Sequence, residues 1–151
     1  MDNAEAKKII ETEIAPVFEL LMYRQGSSLS ELNTILLNTE AIILKLPNEI
    51  NWPDDFEPIL DYKTVCRRIN LEWPELDFYD DLDGSGFTET TPEFIGYALD
   101  DLSDIVLEIG RTLEMAEVSA VGALSQLRFG YVGHLDAHFE GLRKYLNRKI
   151  G

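Results

Sequence analysis

His134 and His138 are the only two histidines of the chain and stand four residues apart. That spacing puts both imidazoles on neighbouring turns of one helical face. Such a pair can chelate a metal ion and is half of a zinc constellation. They belong to the stretch Leu127-Arg128-Phe129-Gly130-Tyr131-Val132-Gly133-His134-Leu135-Asp136-Ala137-His138, and upstream of it lies Asp100-Asp101-Leu102-Ser103-Asp104-Ile105. Acids on one helix facing an arginine and two histidines on the next can form a polar network, a metal site or a recognition surface. Spacing does not choose among the three.

The metal version lacks support in the local pattern. Leu135, not glutamate, follows His134, so the metalloprotease motif is absent, and no third ligand is set by spacing. A histidine at the core edge bonded to a carboxylate is the commoner outcome. No metal or cofactor is therefore expected; Asp101, Asp104, His134 and His138 are the residues that would hold one. Arg128 lies beside the apolar stripe of its helix and needs an acid partner, because an unpaired buried charge costs several kcal/mol. Asp101 or Asp104 is the expected partner, with His138 next to it.

At about 100° per residue, the apolar face of the helix carrying the acids centres on Leu102 and Ile109. Asp100, Asp104 and Glu108 fall opposite and Asp101 at the boundary, which favours a solvated acidic face. On the following helix Leu124, Leu127, Tyr131, Leu135, Leu142 and Leu146 define the stripe, with His138 inside it and His134 on its edge. Gly130, Gly133, Ala137 and Gly141 cluster on another side. Each glycine there lowers helicity by about 1 kcal/mol relative to alanine, which implies a close neighbour, either a helix of this chain or a partner.

Two further patterns resemble chemistry and fall short of it. Asp81-Leu82-Asp83-Gly84-Ser85-Gly86-Phe87 resembles the start of an EF-hand, but Thr88 and Pro92 stand where a β-branched apolar residue and a bidentate glutamate are needed. A flexible acidic turn is expected, without EF-hand calcium binding. Cys66 is the only cysteine, so no internal disulfide forms. It reads as a half-buried structural thiol, although Arg67 and Arg68 beside it would favour a thiolate.

These residues need a scaffold. With 151 residues, 45% of them apolar, the chain reads as one helical domain, 1–151, with a single core. Against 28 acids stand only 13 Lys and Arg, a formal charge of −15. That balance argues against nucleic acid and against an anionic membrane surface, and would attract a basic partner. The amino terminus has no basic and apolar leader pattern and the apolar runs are too short to span a bilayer, so a cytoplasmic protein is expected.

Periodicity predicts an all-α bundle of about five helices, no strand, and a long irregular loop over 74–91. The first helix carries Pro16, which should kink or split it, and Gly26 closes it. Ser28 and Glu31 form a capping box for the second, the most apolar segment and the expected centre, which Pro47 stops. The third begins near Pro58, shows Ile59 on its apolar face and ends at Trp73-Pro74. The fourth begins at Thr91-Pro92-Glu93 and shows Ile95 on its apolar face. A break over 117–119 precedes the last helix, which runs to about Arg148.

The last two helices resemble the bacterial family called domain of unknown function 5063, which carries a segment like D-D-L-A-D-I and a later one like W-R-F-S-F-x-x-H-W-G-x-H followed by A-L-R-A-L. Asp100 to Ile105 matches the first, with Ser103 for alanine. Arg128, Phe129, His134 and His138 match the second, with Tyr131 for phenylalanine; Leu142-Arg143 and Leu146 match the tail. Two family tryptophans are Leu127 and Leu135 here, and the glycine after the second is Asp136. The match covers the last third of the chain, with an echo at Leu44-Lys45-Leu46-Pro47. The resemblance implies a bacterial helical domain and singles out Asp101, Asp104, Arg128, His134 and His138, without assigning them chemistry.

The expected function is a non-enzymatic module that binds another protein, a basic one by charge, of which an immunity protein neutralising a toxin would be one version. The alternative is a metal-binding protein or metal-dependent enzyme using the Asp and His residues of the last two helices.

Overall fold

A computed structural model describes residues 1–48, 53–86 and 95–150. The fold is predominantly helical. Among the described residues the helices run as five rods. The first joins α1 (Asn3–Ile9) through a π-helical turn, Ile10–Ile14, to α2 (Ala15–Tyr23). Pro16 explains the turn: it has no N–H, and its ring would collide with the carbonyl of Thr12. The backbone widens instead, with Ala15 N–H reaching back five residues to the Ile10 carbonyl.

The rod ends before Gly26. Arg24, Gln25 and Gly26 all have positive φ, 55°, 53° and 78°, which costs the two non-glycine residues energy. The Arg24 guanidinium holds the turn: Nε donates to the Ser27 carbonyl at 2.7 Å, Nη1 to the Glu72 carbonyl at 2.9 Å, and Nη1 and Nη2 to the Glu75 carboxylate at 2.7 and 2.6 Å. The same group lies over the Trp73 ring at 4.4 Å.

α3 (Leu29–Leu44) starts at the expected capping box, with Ser28 Oγ accepting from Glu31 N–H and Glu31 accepting from Ser28 N–H, both at 3.1 Å. It ends three residues before Pro47. α4 (Tyr62–Glu72) begins at Asp61, whose carboxylate accepts from Thr64 N–H at 2.8 Å, and not near Pro58. The amides of Ile59 and Leu60 are already taken by the Glu114 carboxylate at 2.7 and 2.8 Å, so the chain there is tied to the next helix rather than wound into its own. Ile59 is 90% exposed, off any apolar face.

Two short strands correct the expectation of none. β1 (Phe78–Asp80) pairs antiparallel with β2 (Ile95–Tyr97), with Tyr79 opposite Gly96. Three-residue strands are too short to show alternation. Ile95 is thus in a strand, and α5 (Ala98–Ala116) starts at Ala98; Thr91-Pro92-Glu93 and Trp52 lie outside the described residues. The break expected over 117–119 is present: Ser119 caps α6 (Ala120–Gly130), which continues through a π-helical turn, Tyr131–Leu135, into α7 (Asp136–Ile150).

α5 is the central helix, a place expected for α3. It packs on α2, α4, α6 and α7 and buries residues around most of its circumference, from Leu99 and Leu102 to Val106, Leu107 and Ile109. α3 buries one side only, through Leu32, Leu36, Thr39, Glu40 and Ile43. Phe139, Trp73, Tyr79 and Tyr145 are the largest side chains of the core. No helix among the described residues is long and apolar enough to cross a membrane.

Candidate metal centre

The π turn at Tyr131–Leu135 decides which way the histidines face. Asp136 N–H bonds to the Tyr131 carbonyl, five residues back. One extra residue in a turn rotates everything after it by about 100° relative to an unbroken helix. The rotation brings Phe139 onto the core axis, where it is fully buried. His138 leaves the centre of the stripe, becomes half-buried, and turns to the acids of α5.

His138 is held at both ring nitrogens. Nδ1 is 2.8 Å from Asp101 Oδ1 and Nε2 is 3.1 Å from Asp104 Oδ2. The other oxygen of Asp101 accepts the Tyr79 hydroxyl at 2.5 Å. His134 is exposed and sits edge-on to His138, ring centroids 5.0 Å apart. Asp100 accepts the Tyr62 hydroxyl at 2.5 Å. The acids of α5 therefore do not form a solvated face: Asp101 is buried and Asp100 and Asp104 half-buried, because the last rod and the β1–β2 hairpin cover that side.

Burial pushes the Asp101 carboxyl above its usual range, opposed by the bonds from His138 and Tyr79. Burial likewise raises Asp104, opposed by the nearby His138 and, less, His134. The bond to Asp101 raises His138 above the ordinary imidazole value, burial working against it and Asp104 with it. The Tyr79 hydroxyl is pushed up by burial and then by its bond to Asp101.

One ligand atom from each of Asp104, His134 and His138 lies within 4.8 Å of the other two, and the same holds for Asp100, Asp101 and His138. Four of the five residues singled out by sequence are thus brought together. Arg128 is not. It has no ion pair among the described residues, and its Nη1 is buried without a hydrogen-bond partner, so the expected pairing with Asp101 or Asp104 is absent. Helical phase gives the reason. Gly130 lies beside the Glu108 carboxylate of α5, and Arg128, two residues earlier, projects about 200° away from it.

The small-residue side divides rather than forming one groove. A β-carbon on Gly141 would overlap the Tyr79 hydroxyl, Gly130 lies beside Glu108, and one on Gly133 would meet no described atom within 4 Å. The nearest described atoms to a β-carbon at Gly130 and Gly141 belong to side chains. The acidic turn Asp81–Gly86 follows a strand instead of a helix, and Asp83 accepts from Ser85 N–H at 2.9 Å; Phe87, Thr88 and Pro92 lie outside the described residues. Cys66 is half-buried.

Sequence reasoning missed Tyr79, which lies outside any helical period, and a second polar tie. Glu40 of α3, buried, pairs with Arg143 of α7 and accepts the Tyr131 hydroxyl at 2.5 Å. Burial and then that bond raise the Tyr131 hydroxyl to about 12. Its signal was Arg143 in the family-like tail.

No family model matches the chain, and no curated protein or solved structure matches it. The likeness to domain of unknown function 5063 rests on the residues quoted for it.

Proposed function

We propose that this protein binds a divalent transition metal of the zinc class through Asp104, His134 and His138, with Asp101 behind His138. The observation that carries the reading is the approach of three ligand atoms to within 4.8 Å of one another. The 3.1 Å between His138 Nε2 and Asp104 Oδ2 is close to the about 3.3 Å that separates two ligands of a tetrahedral ion with bonds of about 2.0 Å. Two imidazoles and a carboxylate suit zinc, iron or manganese and disfavour calcium, which takes oxygen ligands. Metal-bound histidines commonly give their second nitrogen to a carboxylate, and Asp101 stands at Nδ1. Metal at Nε2 would replace the hydrogen now shared with Asp104. Three protein ligands leave a coordination position for water or a small ligand, as in catalytic rather than closed structural zinc sites.

This reading reverses the order of the two expectations. A protein-interaction role is supported by the charge of −15. The test is a calorimetric titration of zinc into the untagged protein. One site is expected, lost in both His138→Ala and His134→Ala. Absence of binding by the wild type, or wild-type affinity in either variant, overturns the reading.

A further inference from the structure

We propose that Tyr79, carried by the β1–β2 hairpin, is the positioning residue of this centre: it locks Asp101 so that Asp101 holds His138 with Nε2 directed to Asp104 and His134. The proposal rests on the metal reading for its function and on four features of its geometry.

The first is how Tyr79 is seated. It is 1% exposed, and both neighbours that would obstruct its ring lack a side chain. A β-carbon on Gly96, its partner across the strands, would overlap the ring, and one on Gly141 of α7 would overlap the hydroxyl. Tyr145 packs against the ring at 5.6 Å between centroids. Two glycines on different elements thus define one position for one side chain.

The second is where the hydroxyl goes. Phenylalanine would fill the same apolar space, so the oxygen is not needed for packing. It donates to Asp101 Oδ2 at 2.5 Å.

The third is the division of Asp101. Its Oδ2 faces Tyr79 and its Oδ1 faces His138 Nδ1 at 2.8 Å. The terminal torsion of an aspartate is broad, so one bond would leave the carboxylate free to turn. Two bonds in opposite directions set its plane, and with it the plane of the imidazole.

The fourth is burial. Asp101 is 7% exposed, which limits water as a substitute donor; without Tyr79 one buried carboxylate oxygen loses its partner. The hairpin thereby acquires a role beyond closing the side of the bundle: it supplies the outermost link of the chain Tyr79–Asp101–His138.

The test compares Tyr79→Phe, which keeps the ring, with Tyr145→Phe, which removes a hydroxyl bonded to the Glu75 carbonyl at 2.7 Å and lies outside the centre. Zinc affinity is read by calorimetry, the His138 ring nitrogens by 15N NMR, and folding by the melting temperature of the metal-free proteins. Tyr79→Phe is expected to weaken zinc about tenfold, the scale of outer-shell partners, and to shift the Nδ1 resonance. Tyr145→Phe is expected to lower the melting temperature while leaving affinity and resonance unchanged. Equal affinity and an unmoved Nδ1 resonance in Tyr79→Phe overturn the proposal. If the wild-type protein binds no zinc, the metal reading falls, and the resonance in the metal-free variants alone decides whether Tyr79 positions His138.

Discussion

Glu40 on α3 is ion-paired to Arg143 on α7, and the carboxylate that makes the pair is the more buried partner, with 9% of its side chain exposed against 29% for the guanidinium. The two helices pack together, so removing either charge strands the other between them. Glu40→Ala should cost about 3 kcal/mol, the low end for breaking a buried pair because Arg143 retains some water. It also removes the acceptor of the Tyr131 hydroxyl. Chemical denaturation measures the loss; a cost below about 1 kcal/mol, typical of a surface pair, would show that solvent replaces Glu40.

Gly141→Ala should destabilise by about 1–3 kcal/mol through overpacking, although alanine favours a helix by about 1 kcal/mol over glycine. The obstructing atom is the Tyr79 hydroxyl oxygen. In a Tyr79→Phe background the same substitution should cost less, and a double-mutant cycle reads the coupling. A neutral or stabilising Gly141→Ala would mean the helix and hairpin separate freely.

Arg128→Met should leave stability within about 1 kcal/mol of wild type or raise it. The side chain contributes a buried nitrogen without a hydrogen-bond partner among the described residues, and replacing such a group by an apolar one of similar length removes a desolvation cost. A loss above about 2 kcal/mol in a denaturant melt would reveal a partner for the guanidinium.

Glu75 gives a pH dependence of known sign. Its bond to Arg24 holds the carboxyl below the usual range, with burial working against it. A depressed folded value stabilises the protein above the unfolded value, about 4.3, and the benefit disappears as pH falls through the folded value. The stability difference between wild type and Glu75→Gln should therefore be largest near neutrality and shrink below about pH 4. A difference that grows on acidification would have the wrong sign for this pair.

What the sequence made legible was local. Ser28 and Glu31 announce their capping box within four residues, and the Glu117–Ser119 break is marked by a capping serine. Asp101, Asp104, His134 and His138 were also legible as two polar segments on neighbouring helices, though helical phase favoured a solvated face for the acids. Their partner was misassigned. Treating Leu127 to Leu146 as an unbroken helix put His138 in the apolar stripe, where the π turn instead presents Phe139. Gly133 weakens the helix there, but no residue of 131–135 forces the turn as Pro16 does for the first. Pro58 looked like a helix start because the competing bond, from Ile59 and Leu60 to Glu114, spans more than fifty positions. Tyr79 was silent for the same reason: its meaning lies in Gly96, Asp101 and Gly141, none within its own element.

Asp104, His134 and His138 are proposed to hold a metal ion. Diffraction from crystals of the untagged protein grown with zinc, recorded on both sides of the zinc absorption edge, tests it most directly. The account predicts one anomalous peak bonded at about 2.0–2.1 Å to His138 Nε2, His134 and Asp104, with His138 Nδ1 still on Asp101. A map without a peak there, with His138 Nε2 still bonded to Asp104, would contradict it.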